Sequence, residues 1–445
     1  MRKIYCEDIN DTGKVWYGEN FPRYNVQAMP LKQNKFWTFL ITLVSKFALI
    51  GKKYTIEKIN MEDLKPPYIL LSNHMYFIDF ELAAQGTFPH SVNNITSIDG
   101  YYRRPLIMEL IGCICKRKFT SDPSLVKAAK KVLHEYKDVL CMYPEARYTP
   151  IGTLAVLPDS LGKLVKEMGN IPVVVITHHG NHLMTPFWNF RKPRKVPLHM
   201  TMKKVLDGEQ IGMLSAAEIQ SIITEAMQYD EYKWQKDNKI KIDEPFRAEG
   251  LEKVLYKCPC CMQEGRMSTE GATLKCGDCG AEWFLSEYGE LIGKTDIEKE
   301  KGFSHVPDWF EWERSCVRKE IEEGTYSFED EVDVFSLPNP RKFIHLGNAR
   351  FTHSIKDGIT IEGEYNNRPY KIRRGAMGMY SLHVEYDYCY LKPEDCVDVS
   401  TNDDSFYCYP SKKNVVTKLS FAVEEIYKYK KAQRALKKAK AEENS

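Results

Sequence analysis

No apolar run in this chain of 445 residues is long enough to span a bilayer. The longest candidate, Phe36 to Ile50, has 15 residues and includes Lys46, against the ~20 apolar residues that a spanning helix needs. Charge of one sign is also missing. A formal net charge of +2 excludes bulk electrostatics as an argument for nucleic acid, so no nucleic-acid partner is expected. No secretory signal is expected either, because Met1-Arg2-Lys3-Ile4-Tyr5-Cys6-Glu7-Asp8 turns acidic where an apolar segment would have to start. These absences lead to the expectation of a cytoplasmic chain, and its 445 residues to that of two to four domains. The 13 Cys are then expected to be reduced thiols, available to a metal and not paired in a disulfide framework.

What is present begins with Asn73-His74 and Asp79, following the apolar run Tyr68-Ile69-Leu70-Leu71, which reads as a buried strand. With 11 His in the chain, a His-x4-Asp spacing is expected about half a time by chance, so context decides its weight. On a regular helix five residues rotate by about 500°, which leaves the two side chains some 140° apart. They meet if His74 lies in the loop between strand and helix and Asp79 in the helix's first turn, where a carboxylate also suits the helix dipole. A His so held can take a proton from an alcohol while the Asp stabilises the imidazolium. No Ser or Cys nucleophile is implied. The plain alternative is a helix N-cap beside a satisfied core histidine.

A second group follows about seventy residues later, in Leu140-Cys141-Met142-Tyr143-Pro144-Glu145-Ala146-Arg147. Glu145 and Arg147 fall just past a strand-like run, and carboxyl ends of strands face the ligand crevice of an α/β sheet. Arg147 suits a phosphate through paired hydrogen bonds. Upstream stands the basic triplet Lys116-Arg117-Lys118, after Gly112. Each of these charges taken singly reads as a solvated surface residue.

The order Asn-His-x4-Asp, Gly-to-basic segment, aromatic-Pro-Glu, then the Pro-bearing apolar strand Ile171-Pro172-Val173-Val174-Val175-Ile176, resembles the glycerolipid acyltransferases, specifically the 1-acylglycerol-3-phosphate acyltransferases. The resemblance covers roughly residues 30 to 235. It implies that His74 is the general base for the acceptor hydroxyl and that Asp79 orients it. It implies substrate-binding roles for Asn73, Glu145, Arg147 and either Arg117 or Lys118, the cations holding the acceptor's phosphate. The donor would be an acyl thioester, on coenzyme A or acyl carrier protein, and the acceptor a lysophospholipid. The chain departs from the family's Pro-Glu-Gly-Thr-Arg: Ala146 stands in place of Gly, and Arg147 comes one place early.

Between the motifs, helix-like runs (124–136, 161–168 and 214–227) alternate with strand-like ones (139–143 and 171–177), which predicts an α/β domain. Ser215 is the expected N-cap of the last helix, with Glu218 completing a capping box. Phe36 to Ile50, flanked by Lys32, Lys35, Lys52 and Lys53, fits a helix lying in a membrane interface or one packed on the catalytic sheet. In Thr177-His178-His179-Gly180-Asn181-His182 a cleft-lining loop is expected in preference to a metal site.

Cys258-x2-Cys261 and Cys276-x2-Cys279 form the pattern of a four-thiolate zinc ribbon, with a structural Zn2+ as the expected cofactor. Mixed charge around them speaks against nucleic acid. Pro307 to Glu323 reads as an amphipathic connecting helix. From about Val332 short β-rich runs follow (343–346, 358–363, 370–373, 381–390 and 405–409), then a helix. Their order resembles a pleckstrin-homology-like barrel. Residues 428–440 hold seven Lys/Arg, able to add about 1 kcal/mol each at an anionic membrane, or simply to solubilise a tail.

The expectation is thus an acyltransferase-type mixed sheet flanked by helices (1–235), a linker and zinc ribbon (236–295), a helical connector (296–330), a β-rich domain with a capping helix (331–430) and a basic tail (431–445). The protein is expected to sit peripherally on a membrane surface.

Overall fold

The computed structural model describes residues 22–388 and 390–443, so the reading of Met1 to Asp8 lies outside the described residues. The first sheet has seven strands: β1 (Tyr54–Ile59), β2 (Ile69–Ser72), β3 (Val92–Ser97), β4 (Ile114–Lys116), β5 (Val139–Met142), β6 (Val173–His179) and β7 (Leu198–Leu206). They lie in the order β1-β7-β6-β2-β5-β3-β4, and only the β6–β7 pair is antiparallel. The middle strands are apolar on both faces because both are covered. Ile69, Leu71, Leu140, Met142, Val173 and Val175 enter one core, and Leu70, Val139, Cys141, Val174 and Ile176 enter another. Because β2, β5 and β6 run parallel, the segments that leave them, at residues 73, 143 and 180, emerge at one edge.

Two helices matter for that edge. Helix α1 (Lys35–Ala48) packs on α2 (Ile78–Thr87), and α2 carries Asp79 in its first turn. The expected capping box is present at Ser215 and Glu218 of the Ala216–Ala226 helix. The chain around His178 differs from the expected loop: β6 continues through His179, and His182 is buried in the short helix Asn181–Met184. Antiparallel pairing with β7 extends that strand to its last residue.

A small antiparallel sheet follows, β8 (Met267–Glu270), β9 (Thr273–Cys276), β10 (Glu282–Leu285) and β11 (Leu291–Gly293), in sequential order. The Val306–Glu322 helix buries Trp309 against Trp283 of β10, ring centroids 4.7 Å apart, and Phe310 against Phe421, 4.6 Å apart. A third sheet holds β12 (Ser327–Ser336), β13 (Ile344–Ser354), β14 (Gly358–Tyr365), β15 (Arg368–Arg374), β16 (His383–Glu385), β17 (Cys396–Ser400) and β18 (Ser405–Pro410). It is antiparallel in the order β15-β14-β13-β12-β18-β17-β16 and is followed by the Val416–Glu443 helix. Strands β12 and β17 were not among the expected runs. Glu329, Asp330 and Glu331 disguise the start of the first, and the buried Asp398 interrupts the second. The small sheet, the connecting helix and the β-rich sheet share one hydrophobic core. Among the described residues no helix is long and apolar enough to cross a membrane.

Candidate active site

Ser72 ends β2 and Ile78 begins α2, leaving His74 in the connection, as the rotation argument requires. Asp79 then reaches back over its own N-terminal turn. Its Oδ2 accepts from Nδ1 of His74 at 3.0 Å and from the backbone N–H groups of Met75 (2.6 Å) and Tyr76 (3.1 Å). Burial works against the charge of this fully enclosed carboxylate, but the facing imidazoles and its hydrogen bonds outweigh that and hold its pKa below the ordinary range. A charged carboxylate only accepts, so Nδ1 of His74 carries the proton and Nε2 is left as the basic nitrogen. The imidazole stays 23% exposed while Asp79 is at 0%. Tyr143 and Tyr148 flank the ring, with centroids at 4.1 and 4.3 Å.

The loop after β5 grips the backbone of His74 from both sides. Oε1 of Glu145 accepts from the His74 N–H at 3.0 Å, and the Thr149 N–H donates to the His74 carbonyl at 2.7 Å. Oε2 of Glu145 accepts from the Ala155 N–H at 2.9 Å, and the Tyr229 hydroxyl approaches both oxygens. Burial pushes the Glu145 carboxyl up to about 7. Ala146 has φ 53°, the left-handed conformation for which the Gly of the resembled motif is suited.

The residues expected to touch substrate divide into two groups. Asn73 is buried and ties β2 to β6: its Oδ1 accepts from the His178 N–H (2.8 Å) and its Nδ2 donates to the His178 carbonyl (3.1 Å). Asn73, His74, Asp79 and Glu145 therefore stand together at the converging strand ends. Arg117, Lys118 and Arg147 are placed instead in the seam with the β-rich unit. Arg117 donates to the carbonyls of Leu337 and Pro338 and to Ser405 Oγ. Lys118 meets Asp99 (2.8 Å), Glu385 (3.6 Å) and Asp398 (3.6 Å). Arg147 donates to the Leu382 carbonyl, to Ser420 Oγ and to Glu424 at 2.7 Å. Glu424 also pairs with Arg314, and these cations outweigh its burial and draw its pKa down to about 2. Sequence spacing had no means of finding these partners, most of which lie more than 200 residues downstream.

A second His–carboxylate pair escaped the sequence reading. His179 Nδ1 lies 2.9 Å from Glu231, whose other oxygen accepts from the Gly180 N–H at 2.7 Å. The two residues are 52 positions apart, so no local motif marks them.

The four cysteines of the expected ribbon also assemble. Their sulfurs all lie within 4.8 Å of one another, and Cys258–Cys279 and Cys261–Cys276 are each 3.7 Å apart. Those separations are far beyond a disulfide and match the about 3.8 Å edge of a tetrahedron with metal–sulfur bonds near 2.3 Å. The donor set therefore fits a metal ion. Met262 (φ 64°) and Gly280 (φ 73°) hold equivalent left-handed positions, each four residues past the first Cys of its knuckle. Cys260 lies outside the group.

No protein-family model matches the chain, and no curated protein matches it. Among solved structures it is similar to the 1-acyl-sn-glycerophosphate (LPA) acyltransferase PlsC from Thermotoga maritima. That likeness has 14% identity over 43% of this chain and 76% of that chain, with a TM-score of 0.36.

Proposed function

We propose that the protein transfers an acyl group from a thioester, on coenzyme A or acyl carrier protein, to the hydroxyl of a lysolipid-like acceptor, with His74 as general base. The observation that carries this reading is a partly exposed imidazole whose Nδ1 is held by a buried, charged carboxylate and whose Nε2 is left for a substrate. In the proposed reaction Nε2 takes the hydroxyl proton while the oxygen attacks the thioester carbonyl. The C–S bond then breaks, and the departing thiolate receives that proton back from the imidazolium. Asp79 stabilises the imidazolium in between. Glu145 holds the main chain of His74 through its N–H.

The sequence resemblance makes 1-acylglycerol 3-phosphate the first acceptor to test, with the product phosphatidic acid. The contacts of Arg117, Lys118 and Arg147 favour a second reading, in which the same chemistry serves an acceptor that is not held by a phosphate at those residues. Helix α1 supports work at a lipid surface. It turns Thr38 and Ser45 inward and leaves Phe36, Phe39, Val44 and Phe47 exposed, with Lys32, Lys35, Lys46, Lys52 and Lys53 around them. An outward apolar stripe with basic flanks suits an anionic membrane interface. The four-cysteine group is proposed to bind a structural Zn2+, since thiolates at tetrahedral spacing with no open position suit that ion.

The test is transfer from a labelled acyl thioester to a panel of lysolipids with and without phosphate, with His74→Ala as control. Product formed by the wild type alone supports the general base. Equal turnover of the variant would sink it, and the preferred acceptor decides between the two readings. Elemental analysis for one zinc per chain, abolished by Cys276→Ser, checks the metal.

A further inference from the structure

Asp79 has two carboxylate oxygens, and the loop from His74 to Tyr76 supplies donors to only one of them. The other, Oδ1, accepts from Nδ2 of Asn181 at 2.7 Å. Asn181 and Asp79 are both fully buried. This donor comes from a different strand end, 102 residues further along the chain. Its placement follows from Gly180, which turns the chain at φ 85° between the end of β6 and the Asn181–Met184 helix. A Cβ at that position would stand 2.3 Å from the carbonyl oxygen of Pro197, so the turn that aims Asn181 at Asp79 requires glycine.

We propose that Asn181 is a positioning residue for the His74–Asp79 pair, holding the carboxylate in the rotamer that faces Nδ1 of His74 and stabilising its charge while the imidazole carries a proton. The role rests on the general-base reading of His74. With Oδ1 unheld, the carboxylate can swing about its Cβ–Cγ bond and weaken the bond to His74 while Oδ2 keeps the two backbone N–H groups it already accepts. The amide removes that freedom because it bonds Oδ1 only while Oδ2 faces the imidazole. It also adds a donor to a charge that burial disfavours.

The experiment uses the full-length protein labelled with ¹⁵N-histidine. The proton on Nδ1 of His74, bonded to a carboxylate, gives a downfield resonance that His74→Ala identifies by its loss. In Asn181→Ala, and in the nearly isosteric Asn181→Leu, that resonance is expected to broaden or move upfield. In the same variants kcat is expected to fall about tenfold or more, with KM for the acceptor unchanged. An unaltered resonance in either folded variant overturns the proposal. So does a loss confined to KM, and so does failure of both variants to fold, which would make Asn181 purely structural. The resonance is read without turnover. A shifted resonance in a protein that transfers no acyl group would therefore refute the proposed reaction and leave the positioning role standing.

Discussion

Among the described residues two imidazoles are bonded through Nδ1 to a buried carboxylate at the start of a helix, His74 to Asp79 and His179 to Glu231. They are exposed to a similar extent, 23% and 19%, yet their carboxylates behave in opposite ways. Asp79 collects donors on both oxygens from the loop, from His74 and from Asn181, and its pKa is held low. Glu231 is pushed up by burial, which its bonds from His179 and Gly180 do not overcome. The rings differ as well. His179 lies flat on Trp234, with centroids 5.3 Å apart and planes 6° apart, whereas His74 sits in the loop at the converging ends of three parallel strands. In the proposed reading, a His–carboxylate contact alone does not make a base. What differs between the two pairs is the number of donors on the carboxylate and the ring's neighbours.

The comparison is broken most directly by removing each ring. His74→Ala is expected to lower acyl transfer by about 10²–10⁴-fold, and His179→Ala to leave it within a few-fold, in the same thioester assay. Equal losses would mean that the two pairs act as one site. A smaller effect comes from neutralising the partners: Asp79→Asn should cost about 10²-fold in kcat while Glu231→Gln changes kcat little.

Stability against pH sharpens the contrast further. A lowered carboxyl contributes stability above its ordinary range, near pH 4, and loses that contribution as pH falls through the lowered value. A raised one contributes below that range and loses it as pH rises through the raised value. Asp79→Asn should therefore flatten the acid side of a Tm-against-pH curve, and Glu231→Gln the side toward neutrality. Curves parallel to the wild type would show that neither shift exists. The smallest effect expected is that of Trp234→Leu, a loss of about 1 kcal/mol of stacking by denaturant unfolding, with turnover unchanged.

Much of this site is legible in the sequence. The apolar run before His74 is β2, Asp79 lies in the first turn of its helix as the rotation argument demanded, and the two CxxC knuckles meet at metal spacing. Ser215 and Glu218 form their capping box. In each case the partners lie within a few residues or in a repeated local pattern. Arg147 shows the opposite case. Beside Glu145 in the sequence it looked free for a ligand, but its partners Leu382, Ser420 and Glu424 arrive from a unit more than 230 residues away.

The sequence by itself determined strands β2, β5 and β6, the Ser215 cap, the knuckles and the His74–Asp79 pair, because chain geometry over a handful of residues dictates which side chains can meet. Tertiary structure alone decided that Asn181 completes the coordination of Asp79, that Glu231 joins His179, and that three cations face the β-rich unit. Those contacts depend on which strand ends lie side by side and which distant surface covers them, and no local spacing encodes either.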